Sequence, residues 1–258
     1  LPVELWYLGD DEMDVVMKNI ITAFNVVCVD AQAVASGMSS GPRILNGWEA
    51  KAFAVANSRF QHVLLLDADN VAVKNPEYLF SDPDYLSAGA MFWPDYGRLG
   101  RDRMIWDICG VQYRDEPEFE SGQLVVDRAR CAKELAIAIH LNEHSDFYYK
   151  HIHGDKDTFH MAWRIVGTGY AMPSQGIESL DATMCQHDMK GDRLFQHRNQ
   201  DKWDFEGKNR PVIGFLHEPQ CRQFIAELRN CWSGDIWEPV KVGGDPEIEE
   251  LEKWVSDS

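Results

Sequence analysis

Apolar positions along the chain alternate between two kinds of pattern. Val3–Leu8 (loosely alternating) and Val26–Val29 read as short strands. Val63–Leu66 and Leu124–Val126 are fully apolar runs of the kind that fills a buried strand. Between these runs lie longer segments with apolar residues at helical spacing. They are Gly47–Phe60, Ala129–His144 and Asp155–Val166, the last opening on carboxylates that suit a helix start. Strands alternating with helices predict an α/β fold with a mostly parallel central sheet flanked by helices. No repeat, low-complexity stretch or linker interrupts the pattern, so one domain is expected over residues 1–258. Gly243–Ser258 reads as an acidic C-terminal tail in which Pro246 opens a last short helix.

Charge narrows the partners. With 25 Lys and Arg against 42 Asp and Glu the formal net charge is −17, which excludes a general nucleic-acid binder but leaves room for a local basic pocket facing a small anion. No apolar run approaches the roughly 18–20 residues of a membrane span, so none is expected in this chain. Asn-x-Ser/Thr acceptors and a secretory leader are both missing from the sequence, which favours a cytoplasmic protein. Leu1 is not a start methionine, however. The chain reads as processed or trimmed, and a lumenal location follows instead if an anchor precedes it. The six cysteines are widely spaced and form no CxxC pair, which points to free buried thiols rather than a zinc ribbon or a disulfide scaffold.

The segment His62–Asn70, HVLLLDADN, carries the candidate chemistry. An apolar strand runs directly into Asp67 and Asp69. Residues i and i+2 of extended backbone point to one side, so the two carboxylates converge and repel unless a cation lies between them. Hard ions such as Mn²⁺ or Mg²⁺ take such oxygens and share them with substrate phosphates. Solvated loop carboxylates, or a turn built by Asp69 and Asn70, fit the tripeptide as well. An EF-hand does not, because Val71 and Ala72 stand where a ligand oxygen and a glycine are needed. Two uses remain: a haloacid-dehalogenase-like phosphohydrolase with Asp67 as nucleophile, and a metal–diphosphate clamp.

Motifs farther along favour the clamp. They are GAMFWPDYG (89–97), FESGQLVVDR (119–128), HGDKDTFHMAW (153–163), CQHDMKGDRLFQHRN (185–199) and Lys202-Trp203. Taken in order, from about Leu1 to Trp203, they resemble the GT-A fold sugar-nucleotide transferases related to fungal Golgi α-mannosyltransferases. More distantly the chain is similar to the retaining glycogenin and galactosyltransferase-like families. The resemblance implies a single GT-A, Rossmann-like domain that moves a sugar, mannose by the nearest likeness, from a GDP- or UDP-sugar to a glycan, lipid or small-molecule acceptor with retention of configuration. It implies that Asp67, Asp69 and His197 hold Mn²⁺ (or Mg²⁺) and that Lys202 contacts the diphosphate. Glu120 and Asp155 become the candidate catalytic carboxylates. Lys51, Ser121, Gly122, Gln123, Asp157 and Asn199 join Lys202 in the substrate-binding set.

Elementary chemistry supports several of these roles. A neutral imidazole suits Mn²⁺ among carboxylates, a lysine compensates a diphosphate in an acidic protein, and Gly122 lets backbone approach a ligand closely. Plainer readings stand beside them. His187 rivals His197, Asp155 could cap its helix, Glu120 could serve an ion pair and Lys51 could lie on a solvated face. Trp93, Trp106 and Trp203 suit core packing as well as stacking. Two departures from the family pattern are visible. The first nucleotide-contacting strand of the relatives has no counterpart before Leu1, and Lys156 stands where the distant families often carry Gln. A non-catalytic sugar-nucleotide-binding module is the third reading.

Overall fold

The computed structural model describes residues 1–181, 183–205 and 209–232. The chain begins with β1 (Val3–Tyr7), α1 (Val15–Thr22), β2 (Val26–Asp30), α2 (Ala31–Ser36) and α3 (Glu49–Asn57). Then β3 (His62–Leu66) and the short β4 (Asn70–Ala72) lead through a 3-10 turn at Pro76–Ser81 and α4 (Pro83–Ala88) into β5 (Ala90–Pro94). Next come α5 (Ile105–Cys109), the long β6 (Phe119–Asp127), α6 (Ala132–Glu143), α7 (Ser145–Tyr148) and α8 (Asp155–Val166). A meander of β7 (Glu178–Leu180), β8 (Thr183–His187) and β9 (Arg193–His197) precedes α9 (Glu218–Trp232). The expected acidic tail, with its helix at Pro246, lies outside the described residues.

The strand directions correct the expectation of a mostly parallel sheet. Only β1 and β2, joined by the α1 crossover, form a parallel pair of strands among the described residues. β6 lies between β3 and β5 and runs antiparallel to both, and β4, β9, β8 and β7 pair antiparallel in that order. The reason is local. An apolar run reports burial on both faces of a strand, which Phe119–Asp127 has throughout, but it carries no signal of direction. The fold is therefore mixed α/β with small, mainly antiparallel sheets.

Alternation along β6 builds two layers of core. Leu124 and Val126 face Phe92, Phe119, Phe159 and Trp163 under α3, α6 and α8, and Phe92 stacks on Phe119 at 4.2 Å. Val125 faces the other way, toward Leu79, Tyr85, Trp93 and Phe195. Trp93 and Trp106 are thus core residues, and their indole N–H groups donate to the carbonyls of His187 and Gly100. All six cysteines are free. No described helix is long and apolar enough to cross a membrane.

One irregularity positions the site. Opposite β5 the register jumps, Phe92 facing Leu124 and Trp93 facing Glu120, so Ser121–Gln123 bulge from that edge. On the other edge Leu66, the last residue of β3, still pairs with Gln123. The bulge therefore lies beside the end of the strand that delivers Asp67.

Candidate active site

Backbone hydrogen bonds fix the acidic turn from both sides. The Asp67 N–H donates to Gly122 O at 2.9 Å, and the Asn70 N–H closes a turn on Asp67 O at 2.9 Å. Asn70 opens β4 opposite His197 on β9, and the Arg198 N–H donates to Asp69 O at 3.0 Å. An amide relay locks turn and bulge together. Asn70 Nδ2 donates to Gly122 O at 2.8 Å and to Gln123 Oε1 at 2.6 Å, and Gln123 Nε2 donates to Glu120 Oε2 at 2.6 Å. Sequence reasoning treated Asn70 only as a turn former. Its position directly after the acidic pair, with an amide able to donate twice, was the available signal.

Asp67, Asp69 and His197 converge, with one donor atom from each within 4.8 Å of the others. His197 Nε2 lies 2.9 Å from Asp69 Oδ1 and 3.8 Å from Asp67 Oδ2, and its Nδ1 lies 3.3 Å from Glu120 Oε1. Burial opposes charge on the imidazole, but its hydrogen bond to Asp69 and the nearby Glu120 carboxylate prevail and raise its pKa to about 9. Burial also opposes charge on Asp69, yet His197 and Lys202 prevail and lower it to about 2. Lys202 reaches Asp69 Oδ2 from an exposed position on the rim. His187 is not part of this group. It faces Arg193 across β8–β9, and its Nε2 lies 3.7 Å from Glu178.

Lys51 rises from α3 into the same cluster and is not on a solvated face. Its ammonium donates to Asp67 Oδ2 at 2.8 Å and lies 3.3 Å from Ser121 Oγ and 3.6 Å from Asp155 Oδ2. Burial disfavours its charge, but the carboxylates of Asp155 and Asp67 outweigh burial and hold it protonated. Burial pushes the Asp155 carboxyl up, opposed by Lys51 and the Ser121 hydroxyl. Asp155 Oδ2 is buried without a hydrogen-bond partner.

The structure brings together Asp67, Asp69, His197, Glu120, Ser121, Gly122, Gln123, Lys51, Asp155 and Lys202. It does not bring in Asp157 or Asn199. Asp157 Oδ2 accepts from the His153 N–H at 2.8 Å, and the carboxyl gathers with Glu118 and His153. Asn199 lies half-buried in the bend after β9. Lys156 bridges Asp95, at 2.7 Å, and Glu118. Glu118 was missed, although it lies two residues before Glu120, where the chain leads into β6.

The donor set suits a hard divalent ion, offering two carboxylates and one imidazole. The cluster is also preformed: Asp67, Asp69 and Glu120 are already faced by Lys51, Lys202 and His197, so like-charge repulsion is offset by ammonium and imidazole groups. An incoming cation replaces those partners rather than filling an empty gap.

Comparison with known proteins gives the chain a lineage. A family model described as "Mannosyltransferase putative" matches residues 1–118 and 101–198. The chain is 24% identical over 246 residues to alpha-1,2-mannosyltransferase MNN2 of Saccharomyces cerevisiae, covering 74% of this chain and 41% of that protein. Against alpha-1,2-mannosyltransferase MNN5 of the same yeast it is 26% identical over 255 residues, covering 76% and 44%. Against alpha-1,2-mannosyltransferase MNN21 of Candida albicans it is 27% identical over 180 residues, covering 52% and 27%. The chain thus spans less than half the length of these relatives. The cytoplasmic expectation is overturned by this kinship with fungal alpha-1,2-mannosyltransferases. It rested on missing sequons and a missing leader, and a stretch shorter than half its relatives carries no such information. With the family match extending over most of its length, the chain belongs to this mannosyltransferase family.

Proposed function

We propose that the chain is the donor-binding and catalytic part of a metal-dependent glycosyltransferase of GT-A type, moving mannose from a nucleotide-diphosphate sugar to a glycan acceptor. The convergence of Asp67, Asp69 and His197 at the end of β3 carries the reading. The names of the relatives supply the sugar. Mn²⁺ or Mg²⁺ bound there supplies a Lewis acid that neutralises the departing diphosphate.

The chain's own residues do the rest. Lys202, exposed and paired only through its tip, turns from Asp69 to the diphosphate and adds a fixed positive charge. Ser121 on the bulge orients the sugar, while Gly122 makes room for His197 and the buried Gln123, bonded to Asn70 and Glu120, holds the bulge in place. Asp155, with an unpartnered buried oxygen, accepts a hydrogen bond from a sugar hydroxyl. The Lys51 ammonium stands between Asp67 and Asp155, 2.8 Å and 3.6 Å away, and offsets the repulsion between the two carboxyls. Glu120 and Asp155 supply negative charge beside an oxocarbenium-like anomeric carbon, in keeping with retention.

The test is a panel of GDP- and UDP-sugars with and without Mn²⁺, read first as a rise in Tm and then as nucleotide release. A ligand that binds only the folded state must raise Tm. One nucleotide class should give a Mn²⁺-dependent rise that Asp69→Asn abolishes. A rise that survives Asp69→Asn, or no rise with any donor, sinks the proposal.

A further inference from the structure

Trp48 is a large apolar side chain left in water at the rim of the cluster. It is 64% exposed, although burying an indole is among the larger stabilising contributions a side chain makes. It caps the N-terminus of α3, one turn ahead of Lys51, so α3 carries both residues to the same corner. The indole lies against Gly154, where a Cβ would come within 2.9 Å of Trp48 Cε3. Gly154 has φ +77°, and it immediately precedes Asp155. Backbone conformation and ring contact both demand glycine here, so the indole is held against the start of α8 by design of the backbone. Tyr149 supports it at 6.3 Å between ring centroids.

The surroundings select the ligand. Beyond Gly154, the exposed His153 leans toward Glu118, 4.0 Å away, and Glu118 shares Lys156 with Asp95. Beneath the corner the buried carboxylates of Asp155, Asp157 and Glu118 and the half-buried Asp95 are set against the ammonium groups of Lys51 and Lys156. Such a balance repels a phosphate and suits hydroxyl groups, which donate to carboxylates. Asp155 Oδ2, 3.6 Å from the Lys51 ammonium, and Asp157 Oδ1 are buried oxygens that accept no hydrogen bond.

We infer that Trp48, on the Gly154–Asp155 corner, is the platform for the sugar ring that receives the transfer: a neutral pyranose, its apolar face on the indole and its hydroxyls toward the carboxylates. This rests on the transferase reading, in which the diphosphate end is held at Asp69 and Lys202. Trp48 packs on Gly154, next to the Asp155 that takes the donor sugar, and so flanks the place where an acceptor meets it.

The experiment titrates the intact protein with an α-linked mannobiose, without donor or metal, by calorimetry. A separate arm reads the Tm rise with GDP-mannose and Mn²⁺. Trp48→Ala should weaken mannobiose binding at least tenfold and Trp48→Phe should recover most of it, with the nucleotide-sugar Tm rise retained in both. Undetectable mannobiose binding by the wild type, or equal affinity in Trp48→Ala, overturns the inference. An equal loss of the GDP-mannose response overturns it too, because the ring would then hold the base. Failure of the transferase reading looks different: no Mn²⁺-dependent rise in any variant, with the mannobiose arm still readable.

Discussion

His197 is packed so tightly onto Gly122 that a Cβ at position 122 would lie 2.5 Å from the imidazole Nδ1 and 2.8 Å from Glu120 Oε1. The glycine is therefore a seat for the imidazole, which fills the space a ligand backbone approach would need. Gly122→Ala must push His197 off Asp69 or shift the bulge. We expect a loss of about 1–3 kcal/mol in denaturant unfolding and loss of the Mn²⁺-dependent Tm rise. A variant that keeps that rise at wild-type size would refute the seating role.

Lys51 faces two carboxyls, so its removal takes the nearest counter-charge from both. Lys51→Met should cost about 3 kcal/mol, because breaking a buried pair strands a charge. Adding Asp155→Asn removes part of that stranded charge, and the double variant should be more stable than the sum of the two single effects. Chemical denaturation of the four proteins measures the coupling. Strict additivity would mean that Lys51 and Asp155 do not interact.

The His197–Asp69 pair sets opposite pH limbs in the metal-free protein. The His197 pKa is raised from 6.5 to about 9, so its stabilisation is complete below 6.5 and lost as pH rises through 9. The Asp69 pKa is lowered from 3.8 to about 2, so its contribution is present above 3.8 and lost as pH falls through 2. Thermal unfolding from pH 3 to 10 should show Tm differences between wild type and His197→Gln shrinking on the alkaline side. A difference that stays constant to pH 10 would exclude the raised pKa.

Mn²⁺ binding must expel the proton that His197 carries at neutral pH, since only the neutral imidazole ligates. Apparent Mn²⁺ affinity should rise by up to about tenfold per pH unit below the His197 pKa and then level off. In His197→Gln this segment of the pH dependence should vanish. Calorimetric titrations at three pH values decide it.

Local signals made the acidic turn legible. The apolar run of β3 ends at Asp67, and the helix predicted over Asp155–Val166 has those bounds. Glu120 and His197 were reached through ordered motifs rather than through spacing. What stayed hidden was set by distant contacts. The direction of β6 depends on which strands flank it, and the short helices Val15–Thr22 and Ala31–Ser36 bury little: none of the eight residues in the first and only Ala31 in the second. The exclusion of Asp157 from the cluster follows from a helical step of about 100° per residue, which turns neighbouring acidic side chains apart. Trp48 attracted no notice because an exposed aromatic has no periodicity to betray it.

Arg198 gives the site a dependence on distant structure. Its guanidinium is wholly buried, stacks 4.0 Å from the Trp203 ring, donates to Asp201 at 2.6 Å and lies 3.5 Å from Glu218 at the head of α9. One planar group thus joins the strand that carries His197, the loop that carries Lys202 and the last described helix. Local opening of α9 would release all three at once, so the helix and the cluster should behave as one cooperative unit in hydrogen exchange. A change at Glu218, which does not touch Asp67 or Asp69, would then be felt as weakened donor capture while the β3–β6–β5 sheet stayed closed.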